Sequence, residues 1–464
     1  MTHLTNSPTL DPSAAANALK LLLAACAIGG APLVANGQCP MSFEPGVSTA
    51  TGLNPYAIAV GDLNGDGIPD VAVANYSDGP GAGSVSVFLS TGHGGMAPPE
   101  QYSAGGGPHA VAIADVDGDL IPDLVVANFR SGSVSLLLGN PAPARGTFTP
   151  AVDLPAGAGA SGVVAADFNG DGHMDLAVSL WNGTEARVLL GRGGGVFDPA
   201  VGYPVASNAN AIAVDDLDHD GHADLVVACY SANSLSLLRG LGDGTFMDAT
   251  TLPAGQNPAG LALGDLNGDG WSDIVVSDIA ESEIGDSRVS VLLNAPGGVL
   301  SSAPACRVGA QPQSVAIADF NHDGRPDLVA AIWSTNEAMV MVGNGDGTFQ
   351  PAVGVAAGPN PTGICSGDFD TDGRQDIAVA SWSSNSVTLL RNDSTFVTQE
   401  PSPFATCPSG GATFSVAVSE AHLSFRWQRE VAPDSGRWEN LSNGSSAGWD
   451  CRRAADRRRV PACR

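Results

Sequence analysis

Seven stretches of the chain carry side chains that could hold a metal ion. The first, "DLNGDGIPD" at residues 62–70, places oxygen-bearing side chains at its first, third, fifth and ninth positions. Hard cations favour oxygen, and calcium takes about six to eight such ligands. Alternate residues of a tight loop turn inward together, and glycine at the sixth position permits the turn. Position seven would add its backbone carbonyl, and position nine closes the site where the next strand begins. The pattern differs from an EF-hand, which needs a bidentate Glu at its twelfth position and helices on both sides. Val73 occupies that position here.

The predicted ligand sets are Asp62, Asn64, Asp66 and Asp70; Asp115, Asp117, Asp119 and Asp123; and Asp167, Asn169, Asp171 and Asp175. The remaining four are Asp216, Asp218, Asp220 and Asp224; Asp265, Asn267, Asp269 and Asp273; Asp319, Asn321, Asp323 and Asp327; and Asp368, Asp370, Asp372 and Asp376. Half of the 48 acidic residues lie in these loops, so up to seven structural Ca2+ ions would halve the formal charge of −28. Without metal, the carboxylates repel one another at close range. An ion bound only by the folded chain stabilises it by mass action. Extracellular calcium suits weak sites, with Kd of order 10⁻⁴ to 10⁻³ M. The second loop has Leu120 where the others have glycine, and it is expected to be the weakest. His173, His219, His222 and His322 fall within the loops and read as exposed residues, because calcium prefers oxygen.

A second set of residues could bind a partner. Six residues past each final aspartate stand Tyr76, Phe129, Trp181, Tyr230, Ile279, Trp333 and Trp382, in a chain that is 6% aromatic. One reading is packing between structural units near their rim. The other is a ring of platforms for a sugar or protein, with Tyr76, Phe129, Trp181, Tyr230, Trp333 and Trp382 as ligand-binding residues. Evidence for catalysis is thin. Glu281, Glu283 and Asp286 cluster on a polar loop without His or Lys nearby, and His109 reads as a lone loop residue. No GxSxG, HExxH or P-loop occurs. No catalytic residue is assigned.

The elements that position these residues follow from the repeat. The first aspartate of each loop recurs at intervals of 49 to 54 residues. That period is too long for an ankyrin unit and suits a four-stranded propeller blade. Each unit reads as an alternating run, the acidic loop, a continuous apolar run, a polar turn, "VSLLLG", a Gly-rich turn such as "GDGTF" and a last short strand. No helical period intervenes. The prediction is an all-β fold: a seven-bladed propeller of four-stranded antiparallel blades over 38–398.

The first strand of each unit alternates large with small residues rather than apolar with polar. Ile58 and Val60, Val111 and Ile113, Ile212 and Val214, and Leu261 and Leu263 are large. Ala57, Ala59 and Gly61, and Gly260, Ala262 and Gly264, are small. Alternate residues face opposite sides of a strand, so one blade's large face should pack on its neighbour's small face. The segment at 43–55 matches the fourth strand and connector of other units, and is expected to complete the last blade and clasp the ring. Residues 394–399 are the competing donor.

These motifs resemble the FG-GAP/VCBS repeat family, whose propeller also occurs in integrin α chains. "GDLNGDGIPDVAV", "ADFNGDGHMDLAV", "GDLNGDGWSDIVV" and "GNGDGTFQPAV" carry the resemblance, which covers roughly residues 43–398. It implies calcium in the hairpin between each blade's first two strands, on one face, and partners on the opposite face. Family members include adhesion and surface proteins, and the module also accompanies hydrolases and lyases. The expected function is a secreted or cell-surface binding or adhesion module, with an extracellular protein or glycan as partner. The alternative is a polysaccharide-active lyase or hydrolase on the same scaffold.

Composition and the ends of the chain complete the reading. With 48 acids against 20 bases the surface is wrong for nucleic acid. Residues 1–37 read as a signal peptide: Lys20, an apolar run from Leu21 to Val34, and small residues at Ala35 and Gly37. A lipoprotein-like "LAAC" ending at Cys26 is the rival, and the start codon is open. No other segment could cross a membrane, and a monomer is expected. The cysteines are scattered without a disulfide framework or zinc spacing. Cys365 reads as a small core residue. Residues 399–464 resemble the opening strands of an immunoglobulin-like domain, with Trp427 at its core position, and then stop early. The Arg-rich end, 452–464, reads as truncated or frame-shifted, with a functional basic tail as the alternative.

Overall fold

A computed structural model describes residues 41–77, 83–279 and 287–393, with a few isolated short strands beyond them. Apart from those short strands, the segments predicted as a signal peptide and as immunoglobulin-like lie outside the described residues, as do Glu281, Glu283 and Asp286. The chain divides into two compact units, and one of them, Phe43–Asn392, holds seven antiparallel sheets.

Blade 1 runs from its innermost strand Pro55–Gly61 through Asp70–Asn75 and Ser84–Phe88 to Glu100–Ser103 at the rim, each strand pairing with the next. Blades 2, 3, 4 and 6 repeat this order, with innermost strands Pro108–Ala114, Ala160–Ala166, Ala209–Asp215 and Pro312–Ala318. Blade 5 begins at Pro258–Gly264, and its outer strand is broken into Ser301–Ser302 and Cys306–Arg307. In blade 7 the strands Pro361–Gly367, Asp376–Ser381 and Ser386–Leu390 are completed by Val47–Ala50. Val47 pairs with Leu389 and Ala50 with Ser386. The N-terminal segment is therefore the clasp, as its sequence predicts.

The second strand of every blade is wholly buried. The outer strands are mostly exposed, which suits a sheet whose inner part is covered on both faces. Between blades 7 and 1, Val71 and Val73 pack with Ala378 and Ala380. Between blades 1 and 2, Leu124 and Val126 pack with Ala72 and Ala74. The first strands obey the same rule. A Cβ on Gly61 would meet Ile113 at 3.3 Å, and one on Gly264 would meet Ile317 at 3.2 Å. The space left by one blade's small residues is filled by the next blade's β-branched ones. Cys365 sits in the core between blades 7 and 1, and burial pushes its thiol up to about 12.

The Gly-rich turns of blades 1, 2, 3, 4 and 6 fold back on themselves. Gly240 bridges Phe246 and Gly343 bridges Phe349. Phe246 packs edge-on against Phe168 of the preceding blade's acidic loop, with ring centroids 5.3 Å apart.

Candidate functional site: acidic hairpins and an axial aromatic cavity

Each acidic loop joins the first two strands of its blade, and the register places it at one end of the sheet. Gly61 pairs with Asp70 beside the loop, while Pro55 pairs with Asn75 at the far end. The first aspartate organises the turn. Asp62 Oδ1 accepts the amides of Gly65 and Asp66 at 2.7 and 3.1 Å, and its Oδ2 accepts that of Gly67 at 2.8 Å. Asp66 Oδ1 in turn accepts the amide of Ile68. The ninth residue, Asp70, is fully buried and takes the amides of Leu63 and Ser90.

Position two is a ligand-free anchor that the sequence reading passed over. Leu63, Val116, Phe168, Leu217, Leu266, Phe320 and Phe369 are all buried. Its signal is legible: a large apolar residue follows the first aspartate in every loop.

Among the described residues, three acidic clusters could hold a metal ion. They are Asp115, Asp117 and Asp123; Asp216, Asp218 and Asp224; and Asp368, Asp370 and Asp376, with one ligand oxygen of each residue within 4.8 Å of the others. These are the hairpins whose third position is aspartate. Positions one, three and nine converge. Position five, Asp119, Asp220 or Asp372, stands outside these clusters and caps the amide of position seven. The other four hairpins carry asparagine at position three: Asn64, Asn169, Asn267 and Asn321.

Such clusters suit a hard divalent ion, because packed carboxylates need a countercharge. Burial pushes Asp123 up to about 6 and Asp376 to about 7, with the neighbouring aspartates adding to the rise. Calcium, when bound, would neutralise this charge and crosslink the loop. Leu120 adopts the turn of the glycines it replaces, with φ 66° against 84° at Gly67. Its amide still bonds Asp115 Oδ2 at 2.8 Å. His173, His219, His222 and His322 are exposed. His219 stacks on Trp271 of the next blade's loop, ring centroids 4.1 Å apart.

At the opposite end of the strands lies a cavity of about 340 Å³. Its wall includes Trp181, Tyr230, Ile279, Trp333 and Trp382 from the predicted ring, and Tyr56 and Asn210 from innermost strands. Gln311 and Gln313 add amide groups. These residues come from six of the seven blades, so the cavity straddles the propeller axis. The ring thus lies about the axis rather than near the rim, and its members pack across neighbouring blades, Trp181 5.0 Å from Tyr230 and Trp333 6.3 Å from Trp382, ring centroid to centroid. Tyr76 and Phe129 continue it: Tyr76 lies 5.7 Å from Trp382 and 6.3 Å from Phe129, ring centroid to centroid. Ile279 is the buried aliphatic member.

His109 is a strand residue, not the loop residue its sequence suggested. Its imidazole lies 3.9 Å from the Tyr56 ring and 5.4 Å from Phe129. Its Nδ1 donates to the carbonyl of Ser161 at 2.8 Å, which leaves Nε2 as an acceptor. Burial lowers it to about 4, so it is neutral at physiological pH. Burial pushes the Tyr56 phenol up to about 12, with Tyr76 and Tyr230 adding to the rise. Tyr56 and His109 occupy the second place of their innermost strands, a position with no aromatic pattern along the chain.

Comparison with known proteins supports the repeat. The profile of the FG-GAP-like repeat matches residues 62–126, 115–178, 216–276 and 319–379, together just over half of the chain. No curated protein matches the chain. Among solved structures, BBS1N in complex with ARL6DN is 13% identical with a TM-score of 0.52, over 77% of this chain and 98% of that one. A periplasmic gluconolactonase of Pseudomonas aeruginosa is 16% identical with a TM-score of 0.50, over 65% and 85%. A putative 6-phosphogluconolactonase of Bacteroides uniformis is 15% identical with a TM-score of 0.50, over 66% and 87%. At these identities the likeness is one of fold alone.

Proposed function

The chain belongs to the family of FG-GAP-like repeats, and on that premise we propose that it is a secreted or cell-surface binding module whose hairpins carry structural calcium. Its ligand, an extracellular glycan or protein, sits in the axial cavity. One observation carries this reading: side chains from six blades meet around a single cavity, at the end of the strands away from the acidic loops. Aromatic faces give large contact area at small entropic cost, and the amides of Asn210, Gln311 and Gln313 can read hydroxyl or peptide groups. The calcium hairpins hold the opposite ends of the same strands and so fix the cavity without entering it.

A glycan array read beside a substrate-depletion assay tests the proposal. Binding without turnover supports a binding module, and turnover would favour the lyase or hydrolase alternative. Replacing Trp333 and Trp382 together by alanine should abolish binding with little change in melting temperature. A large melting loss with binding intact would assign the pair to packing.

A further inference from the structure

Blade 4 carries its own cation. Arg239 follows the strand Ser234–Leu238, and its Nη1 lies 2.6 Å from Asp224 Oδ2 and 3.2 Å from Asp218 Oδ2. These two residues stand at the third and ninth positions of an acidic cluster. Nη2 donates to the carbonyl of Gly298 at 3.3 Å, in the Gly-rich turn of blade 5. The side chain is 17% exposed. Asp216 spends its oxygens on the amides of Asp220 and Gly221, as the first aspartate does in the other hairpins. Asp218 Oδ1 is left buried without a hydrogen-bond partner.

The corresponding residues in blades 1, 2, 3 and 5 are Leu89, Leu138, Leu190 and Leu293, which cannot supply charge. Each leucine lies beneath a glycine of the next blade's turn; Leu138, for example, sits under Gly195. Blade 7 has Arg391 there, but its guanidinium pairs with Glu44 of the clasp. Arg374, in the blade 7 loop, pairs with Asp372, and its charge also acts on Asp370 of the cluster. An arginine at the position is therefore not enough; its direction decides.

We propose that the blade 4 hairpin is closed by the Arg239 guanidinium in place of calcium. The inference rests on the reading of the other hairpins as calcium sites. A calcium ion in blade 4 would sit against the same two carboxylates, Asp218 and Asp224, beside a fixed positive charge. The guanidinium instead offers several donors in a rigid fork, suited to spanning two carboxylates and a carbonyl. Blades 4 and 5 are thereby joined through Gly298 whether or not calcium is bound.

The test uses the full chain in calcium and in EDTA. Anomalous diffraction from calcium-soaked crystals should show an ion in blades 2 and 7 and none bound to Asp218 and Asp224. Amide exchange at Asp119 and Gly373 should accelerate about tenfold or more in EDTA, while Asp220 and Gly221 stay unchanged. Arg239→Leu should add one bound ion and make Asp220 and Gly221 calcium-sensitive. An ion held by Asp218 and Asp224 in the wild-type protein overturns the proposal, as does EDTA-accelerated exchange at Gly221. No ion in any hairpin overturns the calcium reading as well, and is recognisable because no blade responds to EDTA. If Arg239→Leu does not fold, the wild-type measurements decide.

Discussion

Asp70 Oδ1 accepts the backbone amide of Ser90 at 2.7 Å, twenty residues along the chain. Its Oδ2 accepts that of Leu63 at 3.0 Å, so one buried carboxylate ties the acidic loop to the end of the third strand. The pair recurs as Asp123 with Gly139, Asp175 with Gly191, Asp224 with Gly240, Asp273 with Asn294, Asp327 with Gly343 and Asp376 with Asn392. The ninth aspartate is thus a structural residue whether or not the hairpin holds a metal ion.

Asp70→Ala should therefore destabilise the protein even in EDTA. Two buried amides lose their acceptor, at a combined cost of about 2–4 kcal/mol. Asn64→Ala removes an exposed bond to the Asp66 amide and should cost less than about 1 kcal/mol in EDTA. In calcium both variants should lose further stability, because each removes a ligand of the same hairpin. Urea unfolding with and without calcium reads the difference; equal losses in EDTA would refute the dual role.

Leu120→Gly should stabilise the protein by about 1 kcal/mol. Leu120 is 85% exposed and holds a left-handed backbone, φ 66°, so the side chain adds steric cost and little packing. Differential scanning calorimetry would show a higher melting temperature. A lower one would mean that the leucine packs against something in solution.

Gly363→Val should be costly, because a Cβ there would lie 3.0 Å from Ile58 Cγ2 and 3.1 Å from the Ala57 Cα. The clash falls between blades 7 and 1, where the ring closes. Overpacking of this kind costs about 1–3 kcal/mol. Deleting residues 43–50 attacks the same junction by removing the strand that pairs with Ser386–Leu390. Each change should lower the denaturation midpoint. An unchanged midpoint for the deletion would show that the clasp adds nothing to closure.

His109 gives the fold a pH dependence of definite sign. Burial holds its pKa at about 4, below the usual 6.5. As pH falls through 6.5 the unfolded chain takes up this proton first. The stability His109 contributes is therefore present above about 6.5 and lost as pH falls toward 4. His109→Gln should flatten that slope when stability is followed in calcium between pH 4 and 7. Parallel profiles for the two proteins would show that His109 does not titrate in this way.

The sequence by itself determined the repeat, the four-strand blade, the acidic hairpins and the clasp. These features are local: oxygen ligands at fixed spacing, glycine where the loop turns, and large residues alternating with small along one strand. Residues 43–55 could be matched to a last strand because every fourth strand shares a motif. Only the tertiary structure placed Trp181, Tyr230, Trp333 and Trp382 around the axis, with Tyr56 and Gln313 beside them. That convergence depends on closing the ring, which brings together residues hundreds of positions apart. It also separated two arginines that look equivalent along the chain. Arg239 turns into the blade 4 aspartates, whereas Arg391 turns to Glu44, because only blade 7 has the clasp strand beside it.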